Sequence, residues 1–146
     1  MTAHSRIQAD GLTSPHKRLI GYQDRIEALL ARAEMALAAR GKLDAGEIGH
    51  IRWELARLLS EYQIFKHVRL FDPLIAQGGP RSAAAAAMKE SCVAVGEAFR
   101  AHVLKWGAAA ILDRPAAYRA ATMVEIARLR THLKRERDGV RTLLKA

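Results

Sequence analysis

Four histidines and one glutamate are the side chains of this chain best suited to bind a metal. His132 and Glu136 lie four residues apart in THLKRERD, a spacing that places both on one face of a helix. His67 lies in FKHVRLFDP, and the residue four positions after it is Phe71 and not an acid. Imidazole and carboxylate ligands together suit iron, manganese or zinc. The histidine–acid pattern is therefore complete at His132 and broken at His67. It raises the question of whether this protein binds a metal.

The remaining candidate ligands are His16 and His102. His102 lies among apolar residues of the third helical stretch, and His16 stands near the start of the first. Each of the four predicted helices thus contains one of the four histidines. A buried carboxylate must be paired, hydrogen-bonded or bound to a metal. Glu136, which falls within an apolar stripe, therefore needs either a metal or a cationic partner such as Arg100 or Arg130.

Apolar periodicity and Gly/Pro punctuation predict an all-α protein with four long helices and no strand. We expect an up-down-up-down four-helix bundle over residues 14–146, preceded by a flexible tail at residues 1–13. Ser14 and Ser82 are expected to cap the first and third helices, and Pro73 should distort the second. The predicted apolar stripe of the second helix consists of Ile48, Ile51, Leu55, Leu58, Tyr62 and Phe65.

Composition narrows the class of protein further. With Cys92 as its single cysteine, the chain can form no internal disulfide. In an apolar helix this cysteine is more consistent with a small buried hydrophobe than with a nucleophile. No segment has the apolar length of a signal peptide or a membrane span, so we expect a soluble, cytoplasmic protein.

The formal net charge of +9 is concentrated near one end of the chain. Residues 114–146 contain nine Lys and Arg residues against three acids. This charge predicts an acidic protein partner at the fourth helix, with Arg128, Arg135 and Lys145 exposed. A basic, solvated helix face without a partner is the alternative. Nucleic acid is a less favoured partner because no aromatic residues interleave with the basic ones.

Two segments, WELARLLSEYQIFKHVRLFDPLI and the stretch from VAVGEAFRAHVLKWG to RDGVRTLL, resemble the bacterial hemerythrin-like, or HHE cation-binding, domains. The resemblance covers about residues 16–144. In that family the first and third helices each provide a histidine, and the second and fourth each provide histidine-x-x-x-glutamate, to a non-haem di-iron centre. The resemblance implies metal ligands at His16, His67, His102, His132 and Glu136, with Gln23 or Tyr22 as an alternative to His16.

The chain departs from the family pattern at Phe71, which occupies the position of an acid. The neighbouring Asp72 points about 100° further round the helix, and a phenyl ring cannot bind a metal. We therefore expect no cofactor and a non-enzymatic regulatory or protein-interaction bundle with a degenerate di-iron site. The alternative is a non-haem iron protein that senses or binds oxygen, nitric oxide or iron through a reduced ligand set. A basic bundle that binds nucleic acid or an anionic surface is a lesser alternative. The sequence contains no serine–histidine–acid set and no phosphate-binding loop, so no motif of this kind indicates an enzyme.

Overall fold

The computed structural model describes the backbone of residues 3–39 and 41–145 and the side chains of residues 15–39 and 41–145. All regular secondary structure in these residues is helical, which confirms the all-α class. The elements are α1 (Ala3–Ala38), α2 (Ala45–Lys66), a π-helical segment (His67–Phe71), α3 (Asp72–Gln77), α4 (Pro80–Lys105), α5 (Ala108–Asp113) and α6 (Pro115–Lys145).

The first helix is longer than the sequence pattern predicts. α1 begins at Ala3, so Pro15 lies inside the helix and not in its first turn. Its backbone includes part of the segment that the sequence assigns to a tail, but the side chains of that segment lie outside the described residues. The helix ends at Ala38, and Gly41 follows with a φ of 99°, a left-handed conformation that glycine adopts without strain.

The caps of the other helices agree only in part with expectation. Asp44 caps α2, because its side chain accepts hydrogen bonds from the amides of Gly46 and Glu47. The expected N-cap at Ser82 is wrong, since α4 already begins at Pro80. The Ser82 hydroxyl instead donates to the carbonyl of Ile75 at 3.0 Å and joins α4 to α3.

The second predicted helix is distorted in the region expected from Pro73. The distortion is a π-helical segment in which the amide of Asp72 donates to the carbonyl of His67, five residues earlier. Proline has no amide hydrogen and its ring crowds the carbonyl four residues before it. A widened turn ahead of Pro73 relieves that crowding, and it leaves Leu70 and Phe71 both buried.

The expected break between the third and fourth predicted helices is not a simple loop. Residues Ala108–Asp113 form the short helix α5, whose Ile111 side chain is buried. α5 contacts both α2 and α6, and so closes one end of the helical core.

The core lies between the long helices. α1 packs against α2 and α6, and α4 packs against α6, α3 and the π-helical segment. The predicted stripe of α2 is buried in full, with one further buried residue, Lys66. The buried residues of α6 are Tyr118, Ile126, Leu129, His132, Leu133, Glu136, Val140 and Leu143.

Phe71 is fully buried in this core, as the sequence predicts, and its ring centroid lies 6.0 Å from that of His67. Truncation of Phe71 to Ala should lower the free energy of unfolding by about 3–5 kcal/mol, because a buried aromatic ring leaves a cavity. Urea unfolding followed by circular dichroism measures this change. Val68→Ala, at a side chain 56% exposed in the same π-helical segment, is the matched control and should change stability by only a few tenths of a kcal/mol. Equal effects of the two substitutions would contradict the packing described here.

Candidate functional site

Glu136 lies at the centre of the candidate site and is 2% exposed. Its Oε2 accepts a hydrogen bond from Lys66 Nζ at 2.6 Å, and its Oε1 accepts one from the Tyr62 hydroxyl at 2.9 Å. Both partners come from α2, so the carboxylate joins α2 to α6. The expected pairing of Glu136 with Arg130 is wrong, because that guanidinium donates to acidic side chains of α1, Glu27 and Glu34.

Lys66 is the functional residue that the sequence analysis missed. It is 2% exposed, and its ammonium also lies 3.0 Å from Cys92 Sγ and 3.9 Å from the centroid of the Tyr62 ring. A buried ammonium must be compensated by an opposite charge, and Glu136 provides it. The available signal was positional, because Lys66 follows Tyr62 by four residues and thus continues the apolar stripe of α2.

The contribution of α1 to the site comes from Gln23. Its Nε2 donates to the Tyr62 hydroxyl and to the carbonyl of Leu133, both at 2.9 Å, and its Oε1 accepts from Arg137 Nε at 3.0 Å. The amide thus uses both of its hydrogens and its oxygen, and this is why a fully buried glutamine is tolerated here. Gln23 therefore hydrogen-bonds to the Glu136 cluster from α1, whereas Tyr22 packs its ring against that of Tyr62.

His132 flanks the carboxylate on α6. Its Nε2 lies 3.2 Å from Glu136 Oε1, close enough for an ion pair, but the geometry does not make a hydrogen bond. Burial disfavours the imidazolium, yet the neighbouring Cys92 sulfur and the Glu136 carboxylate outweigh burial and raise the pKa of His132. The imidazolium is thereby favoured beside the carboxylate.

The same contacts keep Glu136 ionised. Burial alone would raise its pKa, but His132 and the Lys66 ammonium act in the opposite direction, and the pKa of Glu136 lies below its ordinary value. Burial, together with the Glu136 charge, raises the pKa of the Tyr62 phenol. Tyr62 therefore remains a neutral hydroxyl that donates to the carboxylate.

The other predicted ligands lie apart from this cluster. His102 is half-buried, its Nε2 lies 3.2 Å from the Thr122 hydroxyl, and its ring stacks on Tyr118. His67 Nε2 is buried without a hydrogen-bond partner among the described residues. Burial lowers the pKa of both histidines, with nearby cationic side chains adding to the effect. His16 is half-buried near the start of the described side chains of α1.

Within the described residues, one group of three donor side chains is compact enough to share a metal ion. It consists of Cys92, His132 and Glu136, whose donor atoms lie within 4.8 Å of one another. Neither His67 nor His102 belongs to it. The arrangement does not fit a di-iron centre, because the Lys66 ammonium contacts two of the three donors and Phe71 provides no carboxylate.

Comparison of the chain with protein-family models, with characterised proteins and with solved structures finds no match to any of them. Among the described residues, none of the helices combines the length and the apolar character needed to cross a bilayer.

Lys66→Met should destabilise the protein by about 3–5 kcal/mol, because it leaves the buried Glu136 charge without its cation. Methionine retains most of the length of the lysine side chain, so the loss reports mainly on charge. Chemical denaturation monitored by circular dichroism measures the change.

The double variant Lys66→Met/Glu136→Gln is the control for this loss. It removes both charges and keeps an oxygen that accepts from Tyr62, so it should recover most of the lost stability. A double variant with the summed loss of the two single variants would show that the two charges do not interact.

The stability conferred by Glu136 should depend on pH with a maximum between pH 4.5 and 6.5, the ordinary pKa values of the carboxyl and of the imidazole. The folded-state pKa of Glu136 is lowered, so its contribution is present above pH 4.5 and is lost as the pH falls through the folded value. The folded-state pKa of His132 is raised, so its contribution is present below pH 6.5 and is lost as the pH rises through the folded value.

The difference in unfolding free energy between the wild type and Glu136→Gln, measured in urea over a series of pH values, isolates these two terms. The titrations of His67 and His102, which act with the opposite sign to that of His132, largely cancel in the difference. A difference that stays constant from acid to alkaline pH would contradict the ionisation described for the cluster.

Proposed function

We propose that this chain is a hemerythrin-like helical bundle with a degenerate di-iron site, which acts as a non-enzymatic regulatory or protein-interaction module. The observation that carries this proposal is the 2.6 Å contact between Lys66 Nζ and Glu136 Oε2. The ammonium contributes, at the candidate metal-binding carboxylate, the positive charge that a metal would otherwise supply.

The order of helix contacts supports the proposed bundle. α1 is in contact with α2 and α6, and α4 is in contact with α6 and, more weakly, with α2. Each long helix thus has two long neighbours, which is consistent with the proposed up-down-up-down four-helix bundle. His67 lies in the π-helical segment that follows α2, and His132 lies in α6.

Replacement of a metal by an ion pair is chemically consistent with the core. A di-iron centre needs bridging carboxylates whose negative charges offset those of the metals. Here the second carboxylate is replaced by the buried ring of Phe71, and the remaining one is paired with Lys66. One carboxylate beside one ammonium leaves far less uncompensated charge than one carboxylate beside two ferric ions.

Iron binding tests this interpretation directly. Wild-type protein purified without added metal should contain far less than one iron per chain and show no near-ultraviolet band of an oxo-bridged ferric pair. The double variant Lys66→Met/Phe71→Glu removes the ammonium and restores the missing carboxylate, so it should bind more iron than the wild type. Elemental analysis after anaerobic loading with ferrous iron measures both.

The single variants of that pair serve as controls, because each leaves one obstacle to the metal in place. Stoichiometric iron in the wild type that is lost on His132→Ala would contradict the proposal. The alternative, a non-haem iron protein with a reduced ligand set, would then be correct. The specific observation in favour of that alternative is the convergence of Cys92, His132 and Glu136.

The proposed partner-binding surface is the outward face of α6. Part of the basic charge of α6 is already used within the protein, since Arg130 pairs with acids of α1 and Arg119 donates to carbonyls at the end of α1 and at Gly41. Arg128 is exposed but pairs with Glu125 on its own helix. The further exposed basic residues of α6 are Lys134, Arg135, Arg141 and Lys145.

An acidic protein is the partner that this surface would favour, because complementary charge raises association rates and suppresses like-charged partners. The double charge reversal Lys134→Glu/Arg135→Glu should weaken association most at low salt, where screening is least. Helicity and melting should remain nearly unchanged because both side chains are exposed. A salt series of binding to a polyglutamate-coated surface measures the effect.

Lys17→Glu/Lys42→Glu provides the matched control. It reverses the same number of charges at exposed positions outside α6, so it should weaken the association less. Equal losses for the two double variants would show that net charge, and not the α6 surface, determines association.

A further inference from the structure

A cavity of about 170 Å³ lies beside the Lys66–Glu136 pair. Its wall contains apolar residues of α2, α4 and α6, and its polar lining includes Lys66, Cys92 and His132. It is large enough to admit several water-sized molecules. Cys92 is 4% exposed and lines this cavity, so a small reagent would come into contact with its sulfur from the cavity.

Cys92 and Lys66 form an unusual pair of nucleophiles. Lys66 Nζ lies 3.0 Å from Cys92 Sγ, and both side chains are almost completely buried. The chain has no second cysteine, so an oxidised Cys92 sulfur has no intramolecular thiol with which to form a disulfide. The Lys66 nitrogen is an amine within direct contact of that sulfur.

The polar side chains that line the cavity suit a small polar molecule. His132 is 8% exposed and lines the cavity, and its Nε2 has no hydrogen-bond partner among the described residues. That nitrogen faces Glu136 Oε1 at 3.2 Å as an ion pair, and Lys66 and Cys92 also line this wall, so the cavity offers hydrogen-bonding groups to a small polar molecule. Hydrogen peroxide is such a molecule, since it both donates and accepts hydrogen bonds.

We propose that Cys92 and Lys66 form a peroxide-dependent covalent crosslink. The Cys92 sulfur attacks hydrogen peroxide, the O–O bond breaks, and the thiol proton leaves with the departing hydroxide as water, so that the sulfur is oxidised to a sulfenic acid. Lys66 Nζ, after loss of one proton from its ammonium, then attacks that sulfur. An S–N bond forms, the S–O bond breaks, and the hydroxide leaves with a second nitrogen proton as water.

The reaction therefore consumes one peroxide and yields two waters, one proton and a sulfenamide. The first nitrogen proton is the one released, because Glu136, 2.6 Å from Lys66 Nζ, has a lowered pKa and stays ionised. The product is reversible, because an added thiol reduces the S–N bond and restores the amine and the thiol. The crosslink also removes the positive charge of Lys66 and leaves Glu136 without its ammonium partner. Oxidation at the cavity would thereby disturb the contact between α2 and α6.

Mass spectrometry of the full chain tests this inference. Reduced protein treated with hydrogen peroxide, alkylated and digested should yield the Lys66 peptide linked to the Cys92 peptide, two hydrogen atoms lighter than their sum. The link should disappear on treatment with dithiothreitol. Digestion is needed because methionine oxidation also changes the intact mass. Lys66→Arg, which keeps a cation but has a much poorer nucleophile, should stop at a sulfenic acid that dimedone traps.

Two controls make the result independent of how well the variant folds. The wild type unfolded in urea before peroxide treatment should give no link between Lys66 and Cys92, because the two residues then lie apart. Lys89 lies three residues before Cys92 on the same helix. A link between Lys89 and Cys92 would therefore indicate reaction with a neighbour in sequence. A link to Lys89 instead of Lys66, or a folded wild type in which Cys92 is alkylated in full or oxidised without a link, would overturn the proposal.

Discussion

The buried charge of Glu136 is the constraint on which the centre of this protein depends. A carboxylate with 2% exposure is tolerated only if its negative charge and its lone pairs are satisfied within the protein. Lys66 satisfies the charge, and the Tyr62 hydroxyl satisfies the second oxygen. Gln23 then fixes the Tyr62 hydroxyl from α1. One ionised group on α6 thus determines what α2 and α1 must place opposite it.

The π-helical segment changes the direction of the residues that follow Lys66. An additional residue in the turn between His67 and Phe71 rotates the chain relative to a regular α-helix. Lys66 ends α2 pointing at Glu136, whereas His67 lies beside Phe71. The turn is wide because Pro73 cannot complete a regular one. The different directions of Lys66 and His67 need no such turn, because successive residues of any helix point about 100° apart.

α6 has one buried face and one exposed face along the same part of the helix. Its inner side carries His132 and Glu136, which are buried beside a cavity, and its outer side carries exposed basic residues such as Arg135 and Lys134. A change in the buried ion pair would alter how α6 is joined to α2 across the core, because Lys66 and Tyr62 of α2 both donate to Glu136 of α6. In the function proposed above, this arrangement relates the chemistry of the core to the surface that meets a partner.

The sequence by itself determined the helical class, because apolar spacing of three and four residues and Gly/Pro punctuation depend on local backbone geometry alone. It also determined the burial of Phe71 and the need of Glu136 for a partner. Only the tertiary structure decided that this partner is Lys66, separated from Glu136 by 70 positions in sequence. Helical periodicity shows which face a residue occupies but not which residue of another helix lies opposite, since that depends on how the helices pack. Gln23, Cys92 and the cavity that Cys92 lines became part of one site for the same reason.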